Sequence, residues 1–204
     1  RCRLLENNLW LATDLINLYA KCGDLAKAQG LLEEIHEPNT VSWNALISGY
    51  VHHRRYHEAL YCFKRMQREG VSPDSITFIC ILKACGSIRD VDMGKKVHEL
   101  VVLRGLLKTD IVLSNALVDM YSKCGALEKA RAVLEQLPVR NVVTWSALIS
   151  GYVQNGFAGE ALECFWQMQA SGVRPDAVTY ACILKACSIV GSLESGEDID
   201  VDIR

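Results

Sequence analysis

Nine cysteines and five histidines are the residues of this 204-residue chain whose chemistry could extend to metal binding or nucleophilic attack. A zinc site built from such residues needs closely paired ligands, CxxC above all, and no CxxC occurs. The HxE and PCxxC strings that hold the metal and shuttle the proton in zinc deaminases are missing. So are a G-x-S-x-G nucleophile elbow and a Gly-rich phosphate loop. His52, His53 and His57 cluster with Arg54 and Arg55, but the adjacent positive charges oppose a cation, and the group reads as a solvated helix end. The chain is expected to bind without catalysing, with neither cofactor nor metal.

The cysteines carry a different message. Eight of them form four pairs with one spacing of 102 residues: Cys22/Cys124, Cys62/Cys164, Cys80/Cys182 and Cys85/Cys187. At the same spacing YAKCGDL (19–25) matches YSKCGAL (121–127), VSWNALISGYV (41–51) matches VTWSALISGYV (143–153), and GVSPDSITFICILKAC (70–85) matches GVRPDAVTYACILKAC (172–187). The cysteines recur because a whole block recurs, and repetition is the organising fact. Cysteine buries readily, so these residues are expected to be small apolar fillers in a reducing compartment rather than disulfide partners.

Half of the residues are hydrophobic, ample for a core. A formal net charge of −2 is not that of a strongly basic nucleic-acid binder, whose pI exceeds about 9. Attraction to phosphate alone is therefore not expected to drive function. No stretch approaches the length of a membrane-spanning helix. The sequence starts at Arg1, with neither methionine nor a signal-like segment, and reads as an excerpt.

The elements that must position any binding residues are helices. Over residues 40–53, Val41, Ala45, Leu46, Gly49 and Tyr50 recur at three- and four-residue steps, which predicts one amphipathic face. A second helix is predicted over 56–69, with Ala59, Leu60, Phe63 and Met66 on one side; Gly70 suits the left-handed residue after it, and Pro73 discourages continuation. Such a hairpin cannot bury its apolar stripe alone and must stack on copies of itself, which predicts an all-α solenoid wound with either hand. The block divides into repeats of 35, 36 and 31 residues: 40–74, 75–110 and 111–141, followed by another of 35 at 142–176. A short repeat over 9–39 precedes them, and a partial long one starts at 177 and fades into the acidic tail EDIDVDIR, a frayed end or cloning remnant.

With WNALISGY/WSALISGY, EAL and GVxPD, NALVDMYSKCGALEKAR, and ILKACGSIRDVDMGKKVHELVV in this order, the chain resembles the pentatricopeptide repeat family. The resemblance is to its plant subclass, in which P, L and S repeats rotate. Tetratricopeptide repeats, with one 34-residue period, match neither in length nor in motif. The resemblance implies S-type repeats at 9–39 and 111–141, P-type at 40–74 and 142–176, L-type at 75–110 and in part at 177–204, and a right-handed superhelix. It also implies binding of single-stranded RNA, one base per repeat, in a mitochondrion or chloroplast, as the recognition segment of an RNA-processing factor of the kind that selects C-to-U editing sites.

In the family a base is specified by the fifth and last residues of a repeat, beside a wedging second residue. Carried over by position, Thr13 with Asn39 implies adenine, Asn44 with Asp74 uracil and secondarily cytosine, Asn115 with Asn141 cytosine, and Ser146 with Asp176 guanine. Ile79 with Asp110 makes a weak reader, since Ile79 has no polar side-chain atom. The implied target is 5′-AUNCG-3′. The wedges are Val41, Ile76, Val112, Val143 and Val178, while Trp10 stands at the first such position, to stack on a base or to cap the end of the stack. Lys21 and Lys123 are placed to meet the RNA backbone or to complement a helix C-terminus. Asn, Ser and Asp at repeat boundaries are also ordinary helix caps, which explains a polar residue there but not why the pair changes while WxALISGYV and KCG stay fixed. A protein-interaction scaffold is the alternative: hairpin solenoids hold peptides in the same groove, the L-type positions Ile79 and Ala181 suit accessory proteins, and exposed ends suit self-association.

Overall fold

The computed structural model describes residues 8–191, and every regular element among them is helical. The chain divides into two compact bodies at the step from Ile88 to Arg89. The amino-terminal body holds α1 (Leu9–Cys22), α2 (Leu25–Glu34), α3 (Thr40–His52), α4 (Tyr56–Arg68) and α5 (Ser75–Ile88). The carboxy-terminal body holds α6 (Val91–Leu103), a 3-10 turn (Leu106–Lys108), α7 (Ile111–Lys123), α8 (Leu127–Gln136), α9 (Val142–Gln154), α10 (Ala158–Ala170) and α11 (Ala177–Val190). None of these helices is long and apolar enough to cross a membrane. The acidic tail lies outside the described residues.

Polar side chains start the helices. Asn8, Asp24, Asn39, Asp74, Asp90, Asp110, Asn141 and Asp176 each accept a hydrogen bond from a backbone N–H in the first turn that follows, each worth about 1 kcal/mol of helix stability. The glycine of each KCG ends a first helix. Gly23 has φ +86° and Gly125 φ +75°, a left-handed conformation that glycine adopts without penalty. A Cβ at Gly23 would also stand 3.1 Å from the His53 ring, and one at Gly125 3.1 Å from Asn155 Oδ1. Both neighbours have a task one repeat back. His53 Nε2 lies 2.9 Å from the Ala20 carbonyl oxygen, and the Asn155 side chain donates to the Ser122 carbonyl at 3.1 Å. His53 is thus a helix C-terminal cap, not part of a merely solvated end.

In each body the first helices of the hairpins pack on one another, α1 on α3 on α5 and α7 on α9 on α11, while α2, α4, α8 and α10 cover them. The inner row is tight. A Cβ at Gly49 would meet Ala20 Cβ at 2.5 Å, and one at Gly151 would meet Ser122 Cβ at the same distance, so the glycine of ISGY is where adjacent inner helices cross. Trp43, Phe63, Phe78, Ile16 and Ile47 fill one core, and Tyr121, Phe165, Leu148 and Ile149 the other.

This layering corrects the narrow apolar stripe expected on α3. Ser42, Trp43, Asn44, Leu46, Ile47, Gly49, Tyr50 and Val51 are all buried, whereas Val41 is exposed. An inner helix is covered from three sides, so its surface is hydrophobic nearly all round. The cysteines divide likewise. Cys62, Cys85, Cys164 and Cys187 are buried fillers, and burial pushes the Cys62 and Cys164 thiols up to about 12. Cys22 is exposed and fills nothing, because it stands in the last turn, where α1 leaves the core.

Candidate nucleic-acid interface

One face of the inner helices stays open, and its residues follow from the helical period. Residues four apart share a face, which places Thr13, Asn17 and Lys21 in line on α1, and Asn44, Ser48 and His52 in line on α3. Between these helices a crevice of ≈ 290 Å³ is lined by Asn17, Lys21, Ser48 and His52. One turn before the fifth residue of each repeat, an apolar side chain projects: Val41, Ile76, Val112, Val143 and Val178 are each 53–60% exposed, and Trp10 is 82% exposed. Aliphatic side chains this exposed contribute little to the core of the body that carries them.

Within the two bodies, three of the four sequence-derived polar pairs are joined by hydrogen bonds, directly or through one hydroxyl. The Asn44 amide donates to both oxygens of Asp74, at 2.9 and 3.0 Å. Ser146 Oγ lies 2.6 Å from Thr179 Oγ1, which donates to Asp176 Oδ1 at 2.8 Å. Thr13 Oγ1 lies 2.9 Å from Ser42 Oγ, which donates to Asn39 Oδ1 at 3.1 Å. Asn115 and Asn141 are not joined. Asn115 Oδ1 is buried with no partner, while Asn141 Oδ1 accepts from the Thr144 hydroxyl at 2.8 Å. Asp110 caps α7 through Val112 N and Leu113 N, and Ile79 lies half-buried on α5.

Capping decides what each last residue has left to offer. Oδ1 of Asn39, Asp74, Asn141 and Asp176 is taken by a backbone N–H of the following helix. The remaining side-chain atom is an NH2 donor in Asn39 and Asn141 and a carboxylate acceptor in Asp74 and Asp176. Burial raises the pKa of Asp74, but bonds from Thr77 N, the Asn44 amide and the Thr77 hydroxyl outweigh it and hold the carboxyl below its ordinary value. Asp176 is lowered in the same way, burial opposed chiefly by Thr179 N and its hydroxyl. Both therefore stay ionised at neutral pH and accept only.

The lysines differ from each other. Both lie in the last turn of a first helix. Lys123 Nζ pairs with Asp119 Oδ2 at 2.6 Å, a solvated i,i+4 ion pair of small worth. Lys21 has no such partner among the described residues. The residues that sequence reasoning missed are the hydroxyls of Ser42, Thr77, Thr144 and Thr179, all buried behind the pairs. Their signal was present in the third place of every P- or L-length repeat, where the short repeats carry Leu11 and Leu113.

Comparison with known proteins agrees with this architecture. Models of the PPR repeat family and of the PPR repeat match residues 38–87 and 140–188, and residues 12–38 and 112–142. The chain belongs to the PPR repeat family. Among curated PPR relatives from Arabidopsis thaliana, a mitochondrial protein is 36% identical over 195 residues, which is 96% of this chain and 19% of that protein. A second mitochondrial relative is 40% identical, covering 89% of this chain and 39% of its own length. A chloroplastic one is 37% identical, covering 95% and 26%. The chain thus spans well under half of the length of these relatives. The crystal structure of the maize pentatricopeptide repeat protein PPR10 matches 94% of this PPR chain and 28% of its own, with a TM-score of 0.72 and 26% identity. PPR10 in complex with an 18-nt psaJ RNA element aligns with a TM-score of 0.73 at 22% identity, a likeness of fold.

Proposed function

We propose that this PPR segment binds single-stranded RNA, one base per repeat, with the implied target 5′-AUNCG-3′, as the recognition part of an RNA-processing factor of a plant mitochondrion or chloroplast. The observation that carries the proposal is what capping leaves over at the last residue of each repeat. On its Watson–Crick edge an unpaired adenine or cytosine presents a ring-nitrogen acceptor, whereas uracil or guanine presents a ring N–H donor. The NH2 groups of Asn39 and Asn141 complement the first class, and the uncapped carboxylate oxygens of Asp74, which also accepts from the Asn44 amide, and of Asp176 the second. Those are the classes that the family resemblance assigns to the same four repeats. The exposed side chains of Val41, Val112 and Val143 suit a wedge beside an unstacked base, and Trp10 suits stacking.

The rotation of repeats of 35, 36 and 31 residues supports the PLS subclass and, through it, selection of C-to-U editing sites, with accessory proteins at the L-type repeats. The names of the mitochondrial and chloroplastic relatives support the compartment. In this reading the segment binds and does not catalyse.

The test is selection of RNA from a random library by the purified chain. Enrichment of 5′-AUNCG-3′ is expected, and an Asn44→Thr variant should move the second base from U toward G. Equal retention of every oligoribonucleotide would refute the proposal.

A further inference from the structure

We infer that Ser42, Thr77 and Thr179, each the third residue of the repeat that follows a reading pair, are positioning residues for base recognition. Their buried hydroxyls join the fifth residue to the last and fix which polar atom of each remains for RNA. This inference rests on the RNA-reading function proposed above.

None of the three hydroxyl residues has any exposed surface, so none can touch a base. Their reach is outward to the pair. Thr77 Oγ1 has one hydrogen, which faces Asn44 Oδ1 at 2.6 Å and Asp74 Oδ1 at 2.9 Å, while its lone pair accepts from Asp74 N at 3.1 Å. With Asn44 Oδ1 facing a hydroxyl donor and Asn44 Nδ2 facing a carboxylate, an amide flip would set donor against donor and acceptor against acceptor. The amide is held in one orientation. Thr179 stands between Asp176, to which it donates, and Ser146, whose hydroxyl also faces the Val142 carbonyl at 2.7 Å, and Ser42 connects Thr13 to Asn39.

Capping alone does not call for these hydroxyls. Asp110 caps α7 through two backbone N–H groups with Leu113 in the third place. Nor does a cap require a bond to a helix some 30 residues back in the chain, which is what Thr13–Ser42, Asn44–Thr77 and Ser146–Thr179 provide. Where that bond is missing, at Asn115 and Thr144, the amide oxygen is left without a partner.

The test uses oligoribonucleotides carrying 5′-AUNCG-3′ and the same sequence with its second base changed. Thr77→Val keeps the branched shape and removes the hydroxyl, while Thr77→Ser keeps the hydroxyl. Thr77→Val is expected to lower discrimination at the second base about three- to tenfold, the loss of one hydrogen bond, with discrimination at the other bases unchanged. Thr77→Ser is expected to behave as the parent. In the free protein the two side-chain NH2 proton shifts of Asn44 should lie away from their random-coil values in the parent, move toward them in Thr77→Val and stay in place in Thr77→Ser.

Asn44→Ala separates this inference from the function beneath it. If Asn44→Ala abolishes second-base discrimination and folded Thr77→Val retains it, the positioning role is refuted and RNA reading stands. If Asn44→Ala leaves discrimination intact, RNA reading at this pair fails, and the positioning role with it. Should Thr77→Val lose helicity, Thr179→Val against Ser146→Ala at the fifth base decides by the same outcomes.

Discussion

At Asp74 the atom proposed to meet RNA and the atom that starts a helix belong to one carboxylate. Because bonds from Thr77 and Asn44 outweigh burial, its folded pKa lies below the ordinary value of 3.8. A carboxyl lowered on folding adds stability above its unfolded pKa, and that stability is lost as pH falls through the folded one. Second-base preference and thermal stability should therefore be flat through the neutral range and decline only in acid, below the usual carboxylate range. Asp74→Asn replaces the uncapped acceptor Oδ2 with a donor. It should shift the second base from U toward C at neutral pH, read by affinity for the four single-base variants. An unchanged preference for U would contradict the division of labour between cap and reader. The pairs were legible in the sequence because they fall at fixed places in a recognisable repeat. The hydroxyl between them was not, since its role depends on contacts between residues about 30 apart, and Thr three places after a cap reads first as ordinary capping.

Among the elements, the inner helices set the tolerance of the fold. Gly49→Ala or Gly151→Ala places a methyl 2.5 Å from a Cβ of the preceding inner helix. Overpacking of this kind costs about 1–3 kcal/mol, so each variant should melt at lower temperature than the parent. Gly30→Ala, with open space around the added methyl, should not. Helix positions were legible from the three- and four-residue steps of apolar residues, and α3 and α4 end within a residue of where the pattern stops. Orientation was less so. Val41 belongs to the apolar pattern yet points outward, because a helix packed on three sides needs no single stripe and the pattern cannot say which apolar residue is the free one. His53 was read as solvated because its partner, the carbonyl of Ala20, lies in another repeat.

For the whole molecule, the balance of forces follows from charge. With a net charge of −2 and few lysines on the inner helices, few phosphates can be neutralised. RNA affinity should fall only gently with added salt, each phosphate contributing about 0.7 to the logarithmic slope for a single strand. Lys21→Gln should weaken binding to all sequences alike and reduce that slope by about 0.7. A peptide held by apolar contacts would be almost indifferent to salt, which separates the scaffold alternative in one titration. Repetition made the architecture legible at this scale, since two copies of a block at one spacing expose what is framework and what varies.

The last residue of each repeat has one more consequence. Asn and Asp are near-equal as helix starters, so under the proposed reading exchanging one for the other rewrites a letter of the target and leaves the fold almost indifferent. Lineages carrying such an array can drift from one transcript to another by single neutral substitutions, with no compensating change elsewhere in the chain.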